Sequence, residues 1–192
     1  MRTGLLTQEV LPFYARLALL GAATLALDAV LHGVDQVWIG RYLGIPGVLL
    51  IIGSFGYSLR KHKLIASGNP ATLLRLHEYM AWTGSLLVLV HAGIHFNALL
   101  PWLAIVAMLV NVASGLTGKF LVQRARKSLQ ANSVLLRARG MAAAEIAETL
   151  HWDSVAVEAV KQWRVVHYPI TLAFAVLALG HIVSIFLFWG WR

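Results

Sequence analysis

Long apolar runs that are almost free of charged residues constrain the fold of this chain more than any other feature. Hydrophobic residues make up 59% of it and charged residues 12%, against about 45–50% and about 25% in ordinary soluble domains. A helix needs about 20 apolar residues to cross a hydrocarbon core about 30 Å thick. The sequence therefore predicts an all-α, polytopic membrane helical bundle, a single domain over residues 1–192. Its five transmembrane helices are expected near residues 11–31, 43–59, 73–96, 99–122 and 165–189.

Basic residues are distributed unevenly between the two ends of this bundle. Of 16 Lys and Arg residues, only Arg41 and Arg192 fall on the side away from the N-terminus. Because Lys and Arg accumulate on the cytoplasmic side of membrane proteins, we expect a cytoplasmic N-terminus and a C-terminus outside, in a bacterial inner membrane. The net charge of +8 is then explained by the basic residues on the cytoplasmic side, and membrane lipid is their expected neighbour. Binding of nucleic acid is not expected.

The connection between the fourth and fifth runs, at residues 123–163, is long and polar. Within it, residues 142–150 form an amphipathic pattern, and Asp153 with Glu158 can start a further helix. We expect a cytoplasmic helical hairpin there, which covers the membrane face or docks a partner subunit.

The absence of cysteine limits the redox groups that the chain can hold. Iron–sulfur clusters and covalently attached c-type haem both require cysteine. A Gly-rich phosphate-binding loop is also absent, so we expect no built-in nucleotide or flavin domain. Any redox group must use other ligands.

Two pairs of histidines lie within the predicted membrane helices. His77 and His91 are in the third helix, and His167 and His181 are in the fifth. Ionisable residues within a membrane are costly and are therefore candidates for function. Each pair is separated by fourteen positions, which is about 21 Å of rise and a rotation about 40° short of four turns. Each pair thus lies on one helix face, near opposite membrane surfaces.

These histidines can be matched across the two helices. A single helix intervenes, so the third and fifth helices run in the same direction, which matches His77 with His167 inside and His91 with His181 outside. Two haem b groups, bound without covalent attachment and each ligated by two histidines, require this arrangement. A lone membrane histidine is often only a hydrogen-bonding residue between helices. Two pairs of identical spacing favour ligands of haem iron.

Further residues are candidates for contact with haem. Gly84 lies seven positions from each histidine of the third helix and leaves room for a haem edge, while Phe174 occupies the equivalent position in the fifth. Arg75 and Arg164, with Trp163, are placed to meet propionates near the cytoplasmic side. Anchoring at the cytoplasmic interface explains these arginines equally well.

The outer ends of the first and third helices contain a second set of candidates. His95 is one turn beyond His91 and is an alternative outer ligand, but the spacing in the fifth helix favours His91. That choice leaves His95 for a propionate, a quinone or a backbone carbonyl. Asp28, His32 and Asp35 share a helix face and, with His95, form a candidate quinone or proton-release site. We favour a polar helix end in contact with water, because only Asp28 lies well inside the apolar run.

Two segments of the chain resemble the haem helices of membrane cytochromes b, namely LHEYMAWTGSLLVLVHAGIHF and VVHYPITLAFAVLALGHIVSIF. Their fourteen-residue spacing is similar to that of the quinol-oxidising cytochrome b family. Their placement on helices three and five more closely resembles the transmembrane domain of ferric reductases and NADPH oxidases. The resemblance implies transmembrane electron transfer through the four histidines. Ferric reductases of that type carry a flavin and nicotinamide domain, which this sequence does not contain.

We therefore expect the diheme cytochrome b subunit of a membrane oxidoreductase. It would transfer electrons between the quinone pool and a redox partner that carries an iron–sulfur cluster, flavin or c-type haem. Two alternatives remain open. One is a stand-alone conduit similar to ferric reductases, in which the outer haem reduces an external acceptor. The other is a haem-free proton or metal transporter that uses the same histidines.

Overall fold

The computed structural model describes residues 11–93, 98–117 and 123–188. Within these residues all regular structure is α-helical, so the predicted all-α class is confirmed. The helices are α1 Leu11–Gly33, α2 Val37–Tyr42, α3 Gly44–Ser54, α4 Gly56–Lys61, α5 Pro70–Ala92, α6 Leu99–Thr117, α7 Gln123–Ala138, α8 Ala143–Thr149 and α9 His151–Phe188. The final residues of the predicted helices at 73–96, 99–122 and 165–189 lie outside the described residues.

Four described stretches are long and apolar enough to cross a membrane, and these are Leu11–Gly33, Val37–Lys61, Leu99–Thr117 and Val165–Phe188. Large apolar side chains along them, such as Leu25 and Leu172, are exposed. Soluble proteins rarely leave apolar surface of this extent uncovered, whereas lipid covers it in a membrane. The chain is therefore an all-helical, multi-pass membrane protein.

Helix α5 is as long as α1, but it is not among these four stretches. Its first half carries Arg75, His77 and Glu78, which lower its hydropathy. Its ends are well defined. The Asn69 side chain accepts a hydrogen bond from the Ala71 N–H at 2.9 Å and caps the first turn. At the other end, Gly93 has a positive φ of 50° and terminates the helix, as glycine commonly does.

Two elements differ from the sequence-based boundaries. The second apolar stretch begins at Val37 and consists of α2, α3 and α4 in succession. The fifth was expected to begin at residue 165, but α9 is one helix of 38 residues from His151, with Pro169 inside it. Residues 151–164 contain no glycine or proline to stop the helix. Asp153 in the first turn suits the positive end of the helix dipole.

The polar connection contains α7, α8 and the start of α9. Helix α7 was not predicted from the sequence. It ends near Gly140, whose φ is 81°, and α8 follows it. The apolar side chains of Ile146 and Leu150 are buried, so the connection has a small apolar core of its own.

The chain divides into two compact units. The first unit comprises Met1–Arg16 and Val106–Leu179, and the second comprises Leu17–Ile105 and Gly180–Arg192. Of the four candidate haem ligands, His167 belongs to the first unit and the other three belong to the second.

Candidate functional site

One face of α5 packs against α3 in the second unit. His77, Gly84 and His91 share this face, because seven residues rotate a helix only about 20° short of two turns. A Cβ atom added to Gly84 would lie 2.8 Å from the Gly47 carbonyl oxygen, and one added to Gly47 would lie 3.0 Å from the Gly84 oxygen. The two backbones therefore touch, which glycine permits and larger residues do not. The predicted contact of Gly84 with a haem edge stays a prediction.

His77 is held by the end of α3. Its Nδ1 atom lies 2.8 Å from the Ser54 carbonyl oxygen. A carbonyl oxygen only accepts, so Nδ1 carries the proton and Nε2 of the neutral ring carries the lone pair. The Tyr57 ring stands 5.9 Å away, centroid to centroid. Metal-binding histidines commonly donate their second ring N–H to a carbonyl oxygen in this way, so His77 has the tautomer that a ligand needs.

His91 is held by the start of α3. A Cβ atom added to Gly44 would lie 2.7 Å from Cδ2 of His91 and 3.0 Å from its Nε2. Glycine at position 44 therefore makes room for the imidazole ring. The Nδ1 atom of His91 is buried and has no hydrogen-bond partner among the described residues. A buried polar atom left in this state costs about 1–3 kcal/mol. Nδ1 of His91 therefore lacks the kind of oxygen partner that His77 has.

His181 of α9 faces His91 within the second unit, with the ring centroids 6.4 Å apart and the ring planes inclined at 55°. Two imidazoles bound on opposite sides of one metal ion have centroids about 6 Å apart, because each metal–nitrogen bond is about 2 Å and the nitrogen lies about 1 Å from the ring centre. The centroid distance between His91 and His181 is of this size, which would suit a metal ion held between the two rings. No group of three or more His, Asp or Glu side chains suited to a metal occurs in the described residues. Haem iron needs only axial protein ligands.

His167 is held by α6 in the first unit. Its Nδ1 atom lies 3.0 Å from Oγ of Ser114, a buried residue. One turn further along α9, the Thr171 hydroxyl lies 2.7 Å from the His167 carbonyl oxygen and 2.9 Å from Oδ1 of Asn111. Asn111, Ser114 and Thr171 were not identified as site residues from the sequence. The signal was available, since Asn111 and Ser114 are three positions apart in an otherwise apolar helix.

The candidate site at the C-terminal end of α1 is only partly assembled. The His32 Nδ1–H donates to the Asp28 carbonyl oxygen at 2.9 Å, and the same nitrogen lies 3.6 Å from Oδ2 of Asp28. Oδ1 of Asp28 lies 3.9 Å from where a Cβ atom of Gly93 would be, which brings this carboxylate to the end of α5. Asp35 lies beyond α1 in a turn with a φ of 56°. The helix face predicted for three residues therefore extends only to Asp28 and His32.

The other predicted contacts have mixed outcomes. Arg75 is exposed near the start of α5. Phe174 is buried in the first unit. His95 lies outside the described residues, as do the side chains of Trp163 and Arg164. Their predicted contacts with a propionate or quinone stay predictions.

No family model, curated protein or solved structure compared with this chain matches it. The candidate site is therefore defined by the chemistry of the chain's own residues. The helix pairs α3–α5 and α6–α9 hold His77, His91 and His167 in defined orientations, and His181 completes a pair with His91.

Proposed function

We propose that this chain is the diheme cytochrome b subunit of a membrane oxidoreductase complex and transfers electrons across the membrane between the quinone pool and a redox partner. The observation that carries the proposal is the facing pair of His91 and His181, whose ring centroids are 6.4 Å apart. The equal spacing of fourteen residues between His77 and His91 and between His167 and His181 supports it.

The proposal assigns the inner haem to His77 and His167. Its support is the equal fourteen-residue spacing within the two helices and the bonding of each Nδ1 atom to an oxygen, of Ser54 or of Ser114. A bond to iron would then use Nε2 of both rings. Oxygen partners of this kind fix the ring orientation and raise the basicity of the ligand.

The chain's own residues have simple roles in this function. The four histidines bind and orient the two groups, and the apolar surroundings exclude water, which affects the reduction potential. Haem supplies reversible one-electron chemistry when bound. In the proposal, α5 is the remaining membrane-spanning helix of five, the N-terminus is cytoplasmic, the C-terminus is outside, and the membrane is a bacterial inner membrane. The electron partners are quinone and another redox subunit.

The visible spectrum of the purified chain, with haem counted per chain, tests the proposal. We expect about two haem b per chain and a reduced α-band typical of b-type cytochromes. His91→Ala and His181→Ala are each expected to lower the count to about one, because each removes one axial ligand of the same iron. His62→Ala is the control, since this exposed histidine follows α4 and is expected to leave both haems bound.

A colourless protein that does not take up added haem contradicts the proposal and favours the transporter alternative. Loss of haem in His62→Ala as large as in His91→Ala would contradict the ligand assignment. Reduction of an external acceptor by the purified chain without quinone would instead favour the stand-alone conduit.

A further inference from the structure

Helix α6 carries a polar cluster on an otherwise apolar membrane helix. The cluster comprises Asn111, Ser114 and, across on α9, His167 and Thr171, all within the first unit. Ser114 is only 3% exposed. Buried polar groups in an apolar environment are costly unless they are paired. Here Asn111 and Ser114 each have a partner on α9, so the cluster is a specific contact between these two helices.

Ser114 and Thr171 have different relations to His167. The Ser114 hydroxyl contacts the imidazole ring itself, at Nδ1. The Thr171 hydroxyl contacts the carbonyl oxygen of His167 and the Asn111 side chain, so it joins the helices without touching the ring. A Cβ atom added to Gly115 would lie 4.0 Å from Cε1 of His167, which is ordinary van der Waals contact. Of these contacts from α6, that of Ser114 is made with a ring nitrogen of His167.

We propose that Ser114 is a positioning residue, whose hydroxyl accepts the Nδ1–H of His167 and thereby sets the ring orientation, affinity and reduction potential of the inner haem. This inference rests on the proposed function. When Nε2 of a neutral imidazole binds a metal, Nδ1 carries the proton and must donate it. A buried acceptor for that proton increases electron donation from the ring to the metal. This favours oxidised iron over reduced iron.

The Ser114→Ala variant, studied as the full chain with bound haem, tests the inference by redox titration, haem count and electron paramagnetic resonance. We expect one of the two reduction waves to move to a more positive potential and one of two low-spin signals to change. We also expect one haem to be held about tenfold or more weakly, as is typical when such a partner is removed. The other wave and signal are expected to stay as in the wild type. Ser114→Thr keeps a hydroxyl and is expected to restore the wild-type potential.

Ser54→Ala is the matched control. The partner of His77 is the backbone carbonyl of Ser54, which this substitution retains. The Ser54 hydroxyl itself bonds to the Ile51 carbonyl oxygen. We therefore expect both reduction waves to stay unchanged, although a buried serine has been replaced in each case.

Thr171→Val separates ring positioning from helix packing. It removes the contact with Asn111 and leaves the ring of His167 and Ser114 intact, so we expect lower thermal stability with both potentials unchanged. If Thr171→Val moves the same wave as far as Ser114→Ala, packing explains the shift and the inference is wrong. If Ser114→Ala does not fold, Ser114→Cys has nearly the same volume and a weaker acceptor, and it is expected to shift the same wave in the same direction.

Unchanged waves, signals and haem affinity in Ser114→Ala, or in Ser114→Cys where that variant replaces it, would overturn the inference while the proposed function stands. A wild-type protein without haem would overturn the proposed function itself. These two failures are distinguishable, because the haem count of the wild type is measured first.

Discussion

The helix pair α3–α5 in the second unit and the pair α6–α9 in the first unit hold their histidines by different means. Gly47 and Gly84 bring the backbones of α3 and α5 into contact, so main-chain atoms can reach the ring of His77. Between α6 and α9 the contacts come from side chains, and the partner of His167 is a hydroxyl. Close backbone approach thus supplies a partner without a polar side chain. Where side chains separate the two helices, as between α6 and α9, a polar side chain must supply the partner of the histidine.

The largest effect that would test this comparison is expected from Gly84→Ala. The new Cβ atom would lie 2.8 Å from the Gly47 oxygen and from Cγ1 of Ile51, so α3 and α5 must separate. We expect the free energy of unfolding to fall by about 1–3 kcal/mol, as for other overpacked interiors. Thermal unfolding of the purified protein measures this change. Gly115→Ala is the control, because its nearest atom lies 4.0 Å away. Equal stability of the two variants would contradict the backbone contact.

A smaller effect is expected from Gly44→Ala, where the obstacle is a side chain. The new Cβ atom would lie 2.7 Å from Cδ2 of His91, and the imidazole ring can turn away. An off-rotamer side chain costs about 0.5–1.5 kcal/mol, so we expect modest destabilisation together with a changed low-spin signal of one haem. Gly21→Ala, with no atom within 4 Å, should leave stability and spectrum unchanged. An unaltered haem spectrum in Gly44→Ala would show that α3 does not orient His91.

The smallest effect is expected from Asp28→Asn in α1, close to the end of α5. Asp28 is 18% exposed and His32 is 58% exposed, so the histidine stays available to release a proton to water. If Asp28 takes part in proton release, quinol oxidation falls about threefold, equal to about 0.7 kcal/mol of barrier, with haem content unchanged. The polar helix end that we favour predicts wild-type turnover instead. His32→Gln in the same background should deepen the loss. Wild-type turnover in Asp28→Asn would remove this carboxylate from the proposed proton route.

The sequence was sufficient for the helical class and for most helix positions, because uninterrupted apolar runs can hardly form anything else in a membrane. Boundaries were less predictable. A helix starting near Asp153 was predicted as separate from the fifth membrane helix, and their continuity as α9 was missed, although nothing between His151 and Val165 breaks a helix. Periodicity likewise placed Asp35 on the face of α1, but its positive φ puts it beyond the helix end.

The partners of the histidines were harder to predict than the histidines themselves. Spacing along one helix singled out His77 and His91, since that relation is internal to α5. Gly44, Ser54 and Ser114 act across pairs of helices, and the rotation of one helix against another cannot be read from periodicity in either one. A polar residue in an apolar run, such as Asn111, indicates that a contact exists but does not identify its partner.

The carbonyl partner of His77 has a consequence for how this protein can diverge over time. No ordinary side-chain substitution at position 54 removes a backbone oxygen, so any small residue that fits this buried position preserves the orientation of His77. Position 114 has no such protection. Among descendants of this chain we expect residue 54 to drift among small residues. Changes at residue 114 should be rare, or accompanied by changes in the properties of one haem, which makes this position the natural place for selection to adjust the protein.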